Sequence, residues 1–259
     1  YSARSELAEE AVRLGRLLLQ LMPTETEVRG LLALMLVQQS RAGARVDARG
    51  NLVPLEEQDR SRWDQPRIDE GLTLLTGTAT PYQLQAEIAA CHARARAATE
   101  TDWPRVVRLY TRLASIVPSP VVALNRVVAI AMADGPATAL PLLDELETSD
   151  LLAGYHLLPA VRADLLRRLG RSREAAEQYA RRILPGPVLN HSYRTYVFGR
   201  ALGELEGRDV DSELLYAGAL LHDTGLVNPS GEADFTLASS RLAREVAEEV
   251  GLSTAATDT

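Results

Sequence analysis

The sequence contains little of several residue types that tie a protein to a particular environment. It has one cysteine, two phenylalanines, two tryptophans and no lysine among its 28 basic residues. Cys91 alone cannot form an internal disulfide, which is what we expect of a protein in a reducing cytoplasm. No apolar run reaches the roughly 18 residues of a membrane-spanning helix, and the amphipathic N-terminus lacks the apolar region of a signal peptide. The sequence therefore predicts a cytoplasmic protein without membrane association.

The charge balance is acidic, with a formal net charge of -7 at pH 7. A protein that binds nucleic acid generally presents a basic field, because it has to displace the counterions of the phosphate backbone. We therefore expect no direct nucleic-acid binding by this chain.

Apolar residues recur with the 3.6-residue period of a helix through most of the sequence. No run rich in Val, Ile and Thr alternates with a period of two, so strands are not expected. Thr24 and Glu27 have the spacing of a capping box, which predicts the start of the second helix. Together these patterns predict an all-α fold. The clearest example is the stripe of the first helix, formed by Leu7, Val12, Leu14, Leu17, Leu18 and Leu21.

Two glycines mark a possible internal repeat. Gly135 and Gly170 lie 35 residues apart, and each stands between two apolar helical segments. Gly170, Ala175 and Tyr179 fit the tetratricopeptide pattern, whose period is about 34 residues. Stacked repeats of this kind expose a concave surface that binds protein segments. An ordinary helical hairpin explains the same residues equally simply.

The segment Leu184-Pro185-Gly186-Pro187 has the composition of a linker, because proline and glycine together interrupt helices. The motifs also change across it. The sequence therefore predicts a helical domain over residues 1–183, a linker over 184–189 and a second, smaller helical domain over 190–259.

The stretch Arg45–Asp64 interrupts the helical pattern with a dense set of charges around a short apolar core. A long irregular connection inside a helical array is usually functional. We expect Trp63, Leu52 and Leu55 to dock it onto the helices, because burying such side chains is favourable. The alternative is a solvated loop crossed by weak surface ion pairs. The candidate partner-binding residues are Arg45, Asp47, Glu56, Glu57, Asp59, Arg60 and Trp63.

The same stretch opens a series of blocks that closely resembles the C-terminal extension of one group of extracytoplasmic-function sigma factors of bacterial RNA polymerase. The resemblance covers roughly residues 1–182 and implies a right-handed array of TPR-like helical hairpins. It also implies a regulatory role through a protein partner, which would be RNA polymerase, a sigma domain or another regulator. Tyr1 falls at the family's junction to the extension, so we expect the DNA-binding sigma domains to be absent from this chain. The blocks are ARVDARGNLVPLEEQDRSRWD, TPYQLQAEIAACHA, DWPRVVRLY, SPVVALNRVVAIAMADGP and LAGYHLLPAVRADLLRRLGR.

A second group of residues points to metal chemistry. The apolar segment Leu214–Leu221 ends in His222 and Asp223, and His191 lies on an earlier amphipathic helix. A carboxylate beside an imidazole at the end of so apolar a helix is costly unless it is paired or bound to a metal. Two imidazoles and a carboxylate suit Fe²⁺, Mn²⁺ or Zn²⁺. The alternative is a helix end at which His222 bonds a carbonyl and His191 faces solvent.

The wider pattern, NHSYRTYVF followed by LLYAGALLHDTGL and then Asp234-Phe235, resembles the HD-domain metal hydrolases, in particular their cyanamide-hydratase-like members. The resemblance implies that His191, His222 and Asp223 are metal ligands and that the last ligand is an Asp on a later helix. Asp258, in the polar tail, is a poor match for that ligand. We therefore expect a partial HD segment with an incomplete ligand set.

Three functions follow from these patterns. The first is a non-catalytic interaction module of a sigma factor, which the larger part of the chain favours. The second is an HD-type metal-dependent hydrolase or hydratase acting on a small molecule. The third is a fused product that carries parts of both. We expect structural roles for the two remaining histidines, His92 and His156, because adjacent Cys91 and His92 point to different faces of a helix.

Overall fold

A computed structural model describes residues 2–48, 50–148, 155, 157–208 and 211–224 of the chain. These residues contain helices and no strand, apart from one isolated bridge between Val46 and Leu52, so the predicted all-α class is confirmed. No helix in these ranges is long and apolar enough to cross a membrane. The α-helices are α1 (Ser2–Leu21), α2 (Thr26–Gln39), α3 (Gln65–Thr73), α4 (Pro81–Arg94), α5 (Trp103–Ile116), α6 (Pro120–Ala133), α7 (Pro136–Glu147), α8 (Leu157–Arg168), α9 (Ser172–Ile183), α10 (Gly186–Leu205) and α11 (Ser212–Leu221).

The chain forms two compact units, residues 1–133 and residues 134–259. The predicted linker at 184–189 lies inside the second unit, where α10 already begins at Gly186. α11 packs against α9, so helices on either side of this segment share contacts. The independent folding of residues 190–259 stays a prediction.

The first unit is organised by a close approach of α2 and α4. A Cβ atom at Gly30 would lie 2.6 Å from the backbone nitrogen of Gln83, so only glycine fits there. The Gln83 side chain is fully buried. Its amide accepts from the backbone N–H of Thr76 at 3.0 Å and donates to the carbonyls of Thr26 and Leu74, each at 3.2 Å. One buried amide therefore joins α2, α4 and the segment after α3.

The ends of the helices follow their capping residues, with one exception. Asp64 and Asp102 accept from backbone N–H groups in the first turns of α3 and α5, and a proline stands in each first turn. The capping box predicted at Thr24 and Glu27 is wrong, because α2 begins after Glu25 without a side-chain cap. Glu27 instead accepts from the Thr80 hydroxyl at 2.9 Å and from the backbone N–H of Tyr82 at 3.0 Å. It thus caps α4.

The charged stretch Arg45–Asp64 docks on the first unit through its aromatic residue. Trp63 is 6% exposed and packs with Ala44 and Ile68, while Leu55 is partly buried against the same cluster. The expectation for Leu52 is wrong, since its side chain is 81% exposed. Leu52 pairs with Val46 in a short bridge, and this places its side chain in solvent.

In the second unit, α8 packs against α9. Gly170 adopts a left-handed φ of 71° between these two helices. The backbone N–H of Arg171 then donates to the carbonyl of Leu166 at 2.9 Å, which closes the C-terminus of α8. Ala175, fully buried in α9, allows the two helices to approach. This hairpin has the features that the repeat pattern requires, while the TPR-like array with its right-handed stacking stays a prediction.

We expect Trp63→Ala to destabilise the first unit by about 3–5 kcal/mol, because removal of a buried ring leaves a cavity between the helices and the loop. The measurement is thermal unfolding followed by circular dichroism. Leu52→Ala is the matched control in the same loop and should change the stability by less than about 0.5 kcal/mol. Equal melting temperatures for wild type and Trp63→Ala would show that the loop is not anchored by this ring.

Candidate metal centre

Three helices of the second unit are joined by one carboxylate. Glu177 of α9 accepts a hydrogen bond from the Tyr193 hydroxyl of α10 and another from the Tyr216 hydroxyl of α11, both at 3.0 Å. Arg181, one turn further along α9, pairs with the same carboxylate at 2.7 Å. Tyr193 lies two residues after His191 and Tyr216 six residues before His222, so this junction constrains where the predicted metal residues lie.

The junction changes the acidity of its members. Burial would raise the pKa of Glu177, but the hydrogen bonds from Arg181, Tyr216 and Tyr193 outweigh it and lower the pKa below its usual value. Burial, followed by the bond to Glu177, raises the pKa of Tyr216 well above that of a free tyrosine. Glu177 is therefore a carboxylate at neutral pH, and Tyr216 is a neutral donor.

The structure brings His191, His222 and Asp223 together. One ligand atom from each lies within 4.8 Å of the others. The His222 Nε2 atom lies 3.1 Å and the His191 Nε2 atom 3.5 Å from the Asp223 Oδ2 atom. The two imidazole centroids are 5.5 Å apart. Both His222 and Asp223 follow the last turn of α11, whose apolar residues Leu220 and Leu221 are fully buried.

The hydrogen bonds of His222 define which of its nitrogens faces the cluster. Its Nδ1 atom lies 2.8 Å from the Ala219 carbonyl, which can only accept, so Nδ1 carries the proton. In a neutral imidazole the Nε2 atom then presents a lone pair to Asp223, and Asp223 is only 9% exposed. Two acceptors at 3.1 Å repel each other unless a proton or a cation lies between them.

This donor set fits a divalent metal ion. Histidine ligands commonly donate their second ring N–H to a backbone carbonyl, as His222 does to Ala219. The mixed nitrogen and oxygen donors suit Fe²⁺, Mn²⁺ or Zn²⁺. The His191 side chain is 55% exposed, so the cluster is open to solvent on that side. Asp234 and Asp258, which were named above with the resemblance to HD-domain proteins, lie outside the described residues.

The predicted partner-binding residues divide into two groups. The acidic members, Asp47, Glu56, Glu57 and Asp59, are exposed. The others hold the loop in place: Arg45 donates to the Gln38 carbonyl at 2.8 Å, and Arg60 donates to the carbonyls of His92 and Ala95. Trp63 is buried. The surface left for a partner is therefore acidic.

His92 does not join the metal residues; it lies in the first unit, edge-on to Trp103 at 5.2 Å between ring centroids. Burial, and after it the nearby Arg60 and Arg41, lower the pKa of His92 to about 4. Its imidazole is thus neutral at physiological pH. His156 lies outside the described residues.

The sequence patterns did not single out Glu177. Its pairing with Arg181 has the i, i+4 spacing of an ordinary surface ion pair, which gave no reason to choose it. A signal was nevertheless present in the segments NHSYRTYVF and LLYAGALLHDTGL. They contain Tyr193 and Tyr216, and a tyrosine hydroxyl usually finds a hydrogen-bond partner when it is buried.

Two family descriptions match separate parts of the chain. Residues 1–79 match a family of unknown function (DUF6596), and residues 188–257 match the HD domain. An uncharacterized protein of Rhizobium meliloti (strain 1021) is 46% identical over 184 residues, which are 69% of this chain and 43% of that protein. The chain therefore spans less than half the length of this relative. No solved structure matches. The HD match contains all three clustered residues, whereas the resemblance to a sigma factor stays a prediction.

We expect Glu177→Gln to destabilise the second unit by roughly 1–3 kcal/mol, because the amide cannot accept from both tyrosines as a carboxylate does. The folded-state pKa of Glu177 is lowered, so its ionised form contributes stability that is present at neutral pH. That contribution is lost as the pH falls from the ordinary value of 4.5 through the lowered folded-state pKa. Thermal unfolding at neutral and acid pH should show a smaller acid loss in the variant.

The matched control is Glu174→Gln in α9, which breaks an exposed pair with Arg171, the residue that precedes this helix. Surface pairs of this kind contribute little to stability, because solvent screens the two charges. Equal effects of the two substitutions at neutral pH would contradict a structural role of the Glu177 junction.

Proposed function

We propose that the second unit is an HD-type, metal-dependent hydrolase or hydratase that acts on a small molecule. The observation that carries this proposal is the close approach of the His222 Nε2 atom to the buried Asp223 carboxylate, with the His191 Nε2 atom beside the same oxygen. His191, His222 and Asp223 would together hold a divalent Fe, Mn or Zn ion, which would satisfy these converging groups. The HD match over residues 188–257 supports the same assignment.

Each of the three residues would contribute differently to the reaction. Asp223 would supply a carboxylate ligand whose negative charge offsets part of the charge of the ion. The Ala219 carbonyl holds the His222 ring with its Nε2 atom toward the site. His191 comes from another helix and stands at the exposed side, where a substrate can approach. The ion supplies Lewis acidity, which activates water toward a polarised substrate.

The test is the metal content of protein purified without chelator, measured by inductively coupled plasma mass spectrometry. We expect about one equivalent of iron, manganese or zinc, because a folded three-ligand site binds metal far better than the unfolded chain does. His222→Ala should lose the metal. His92→Gln, which alters a histidine in the other unit, should keep it.

A proton shared between His222 and Asp223 would satisfy the same contact without any metal. Wild-type protein that stays free of metal after incubation with each of the three ions would therefore contradict the proposal. Retention of metal in His222→Ala would place the ion elsewhere.

A second candidate function belongs to the first unit: a regulatory interaction module of a bacterial sigma factor. The observation that favours it is the outer face of α1, where Leu7, Leu14, Leu18 and Leu21 are exposed in helical register. A continuous exposed apolar stripe of this kind marks a protein-interaction surface. RNA polymerase, a sigma domain or another regulator is the proposed partner in the cytoplasm, and the net charge of -7 supports a role without direct DNA binding.

The interaction is tested with immobilised bacterial RNA polymerase and its sigma domains. The double substitution Leu14→Glu and Leu18→Glu should weaken binding at least about tenfold, because each leucine contributes roughly 1.5–3 kcal/mol when buried. Leu205→Glu alters an equally apolar exposed side chain of α10 and serves as the control. Absence of binding by wild type, or equal binding by the double variant, would contradict this function.

A further inference from the structure

The first unit contains a cavity of about 380 Å³ that neither proposed function uses. Residues of α2, α4, α5 and α6 line it, and most of its wall is apolar, as Leu34, Ile88, Leu113 and Val121 show. Cavities that bind small molecules measure roughly 300–1,000 Å³ and combine an apolar wall with a few polar groups. The size and the wall therefore suit a small organic molecule.

One charged side chain faces this cavity. Arg41 lines it, whereas no aspartate or glutamate among the described residues does. Arg41 forms no ion pair in the described part of the chain; its guanidinium donates to the Gln38 amide and lies 5.8 Å from the Trp63 ring centroid. Burial, and after it Arg45 and Arg60, lower the pKa of Arg41 to about 10. The guanidinium is thus charged, partly desolvated and without a counterion.

Several polar groups around the cavity have unused hydrogen-bonding capacity. Within the described residues the hydroxyl of Tyr110 and the ring nitrogens of His92 have no hydrogen-bond partner. Both residues also line an adjoining cavity of about 210 Å³. That second cavity contains Thr101, which is 6% exposed and whose hydroxyl has no partner. A buried hydroxyl left unpaired costs free energy, so Thr101 indicates that a polar group binds beside it.

We propose that the larger cavity binds a small organic anion, a carboxylate or sulfonate with an aromatic or branched hydrocarbon body. The anionic group pairs with Arg41, Tyr110 donates a hydrogen bond to it, and the hydrocarbon body lies against Ile88 and Leu113. Among the described residues that line the two cavities, Glu56 is the one carboxylate, and it lines only the smaller cavity. Charge therefore places the anionic end in the larger one.

The ligand would also contact the charged stretch. Leu55 of the stretch 45–64 lines both cavities, and Glu56 and Arg60 also line the smaller one. A bound anion would thus touch the segment whose acidic residues face solvent, so the site is suited to regulation of the first unit.

The test compares two fluorescent probes with the same aromatic body. Anilinonaphthalene sulfonate carries an anionic group, and phenylnaphthylamine is uncharged. We expect Arg41→Met to weaken binding of the sulfonate about tenfold or more, since a charge-assisted contact is lost, while affinity for the uncharged probe stays within about twofold. Val121→Trp should abolish binding of both probes, because the larger ring fills the cavity.

Arg45→Met is the matched control, since Arg45 belongs to the same guanidinium cluster and bonds Gln38 but does not line the cavity. It should leave the affinity for both probes within about twofold of wild type. Circular dichroism melting verifies that each variant is folded. Equal loss of both probes in Arg41→Met, or unchanged binding in Val121→Trp, would overturn the proposal. If Arg41→Met does not fold, equal affinity of wild type for the two probes would overturn it by itself.

Discussion

The arrangement of the second unit depends on the carboxylate of Glu177. Each of its oxygens accepts from a tyrosine on a different helix, so α9, α10 and α11 cannot shift independently without leaving a hydroxyl unpaired. Arg173 adds to this constraint, because its guanidinium lies 4.2 Å from the centroid of the Tyr216 ring. Tyr193 stands two residues after His191, and Tyr216 precedes His222 by less than two turns. The distance between the His191 and His222 imidazoles is therefore set by hydrogen bonds to Glu177, which is not itself one of the candidate metal ligands.

The first unit depends on a different constraint, which is the absence of a side chain at Gly30. At Gly30 the backbones of α2 and α4 meet without an intervening Cβ atom, and the buried amide of Gln83 then satisfies three backbone groups at once. Close packing and hydrogen bonding act here at the same point, so neither would hold the helices without the other. The cavity beside Arg41 lies between these helices and α5 and α6, and this junction therefore fixes two of its walls.

Local patterns predicted the features that depend on neighbouring residues. The 3.6-residue period of the apolar residues predicted the all-α class. The pairing of His222 with Asp223 and the convergence of His191 followed from the resemblance to HD proteins, because spacing alone does not bring two distant helices together. One failure involves a partner remote in sequence, and the other involves a local bridge. Glu27 fits a capping box by its position, but it caps a helix more than fifty residues away. Leu52 is apolar yet exposed, because its backbone pairing with Val46, and not its hydrophobicity, decides where its side chain points.

Trp63 lies between the guanidinium groups of Arg41 and Arg60, whose central carbons are 5.8 Å and 5.0 Å from its ring centroid. The emission of an indole depends on the charges near its ring. Arg41 lines the larger cavity, whereas Arg60 donates to the carbonyl of Ala95, just after α4. Trp63 is consequently an intrinsic optical reporter: its fluorescence registers any displacement of Arg41 without a label. The chain has one other tryptophan, Trp103, so replacing that residue would isolate the signal.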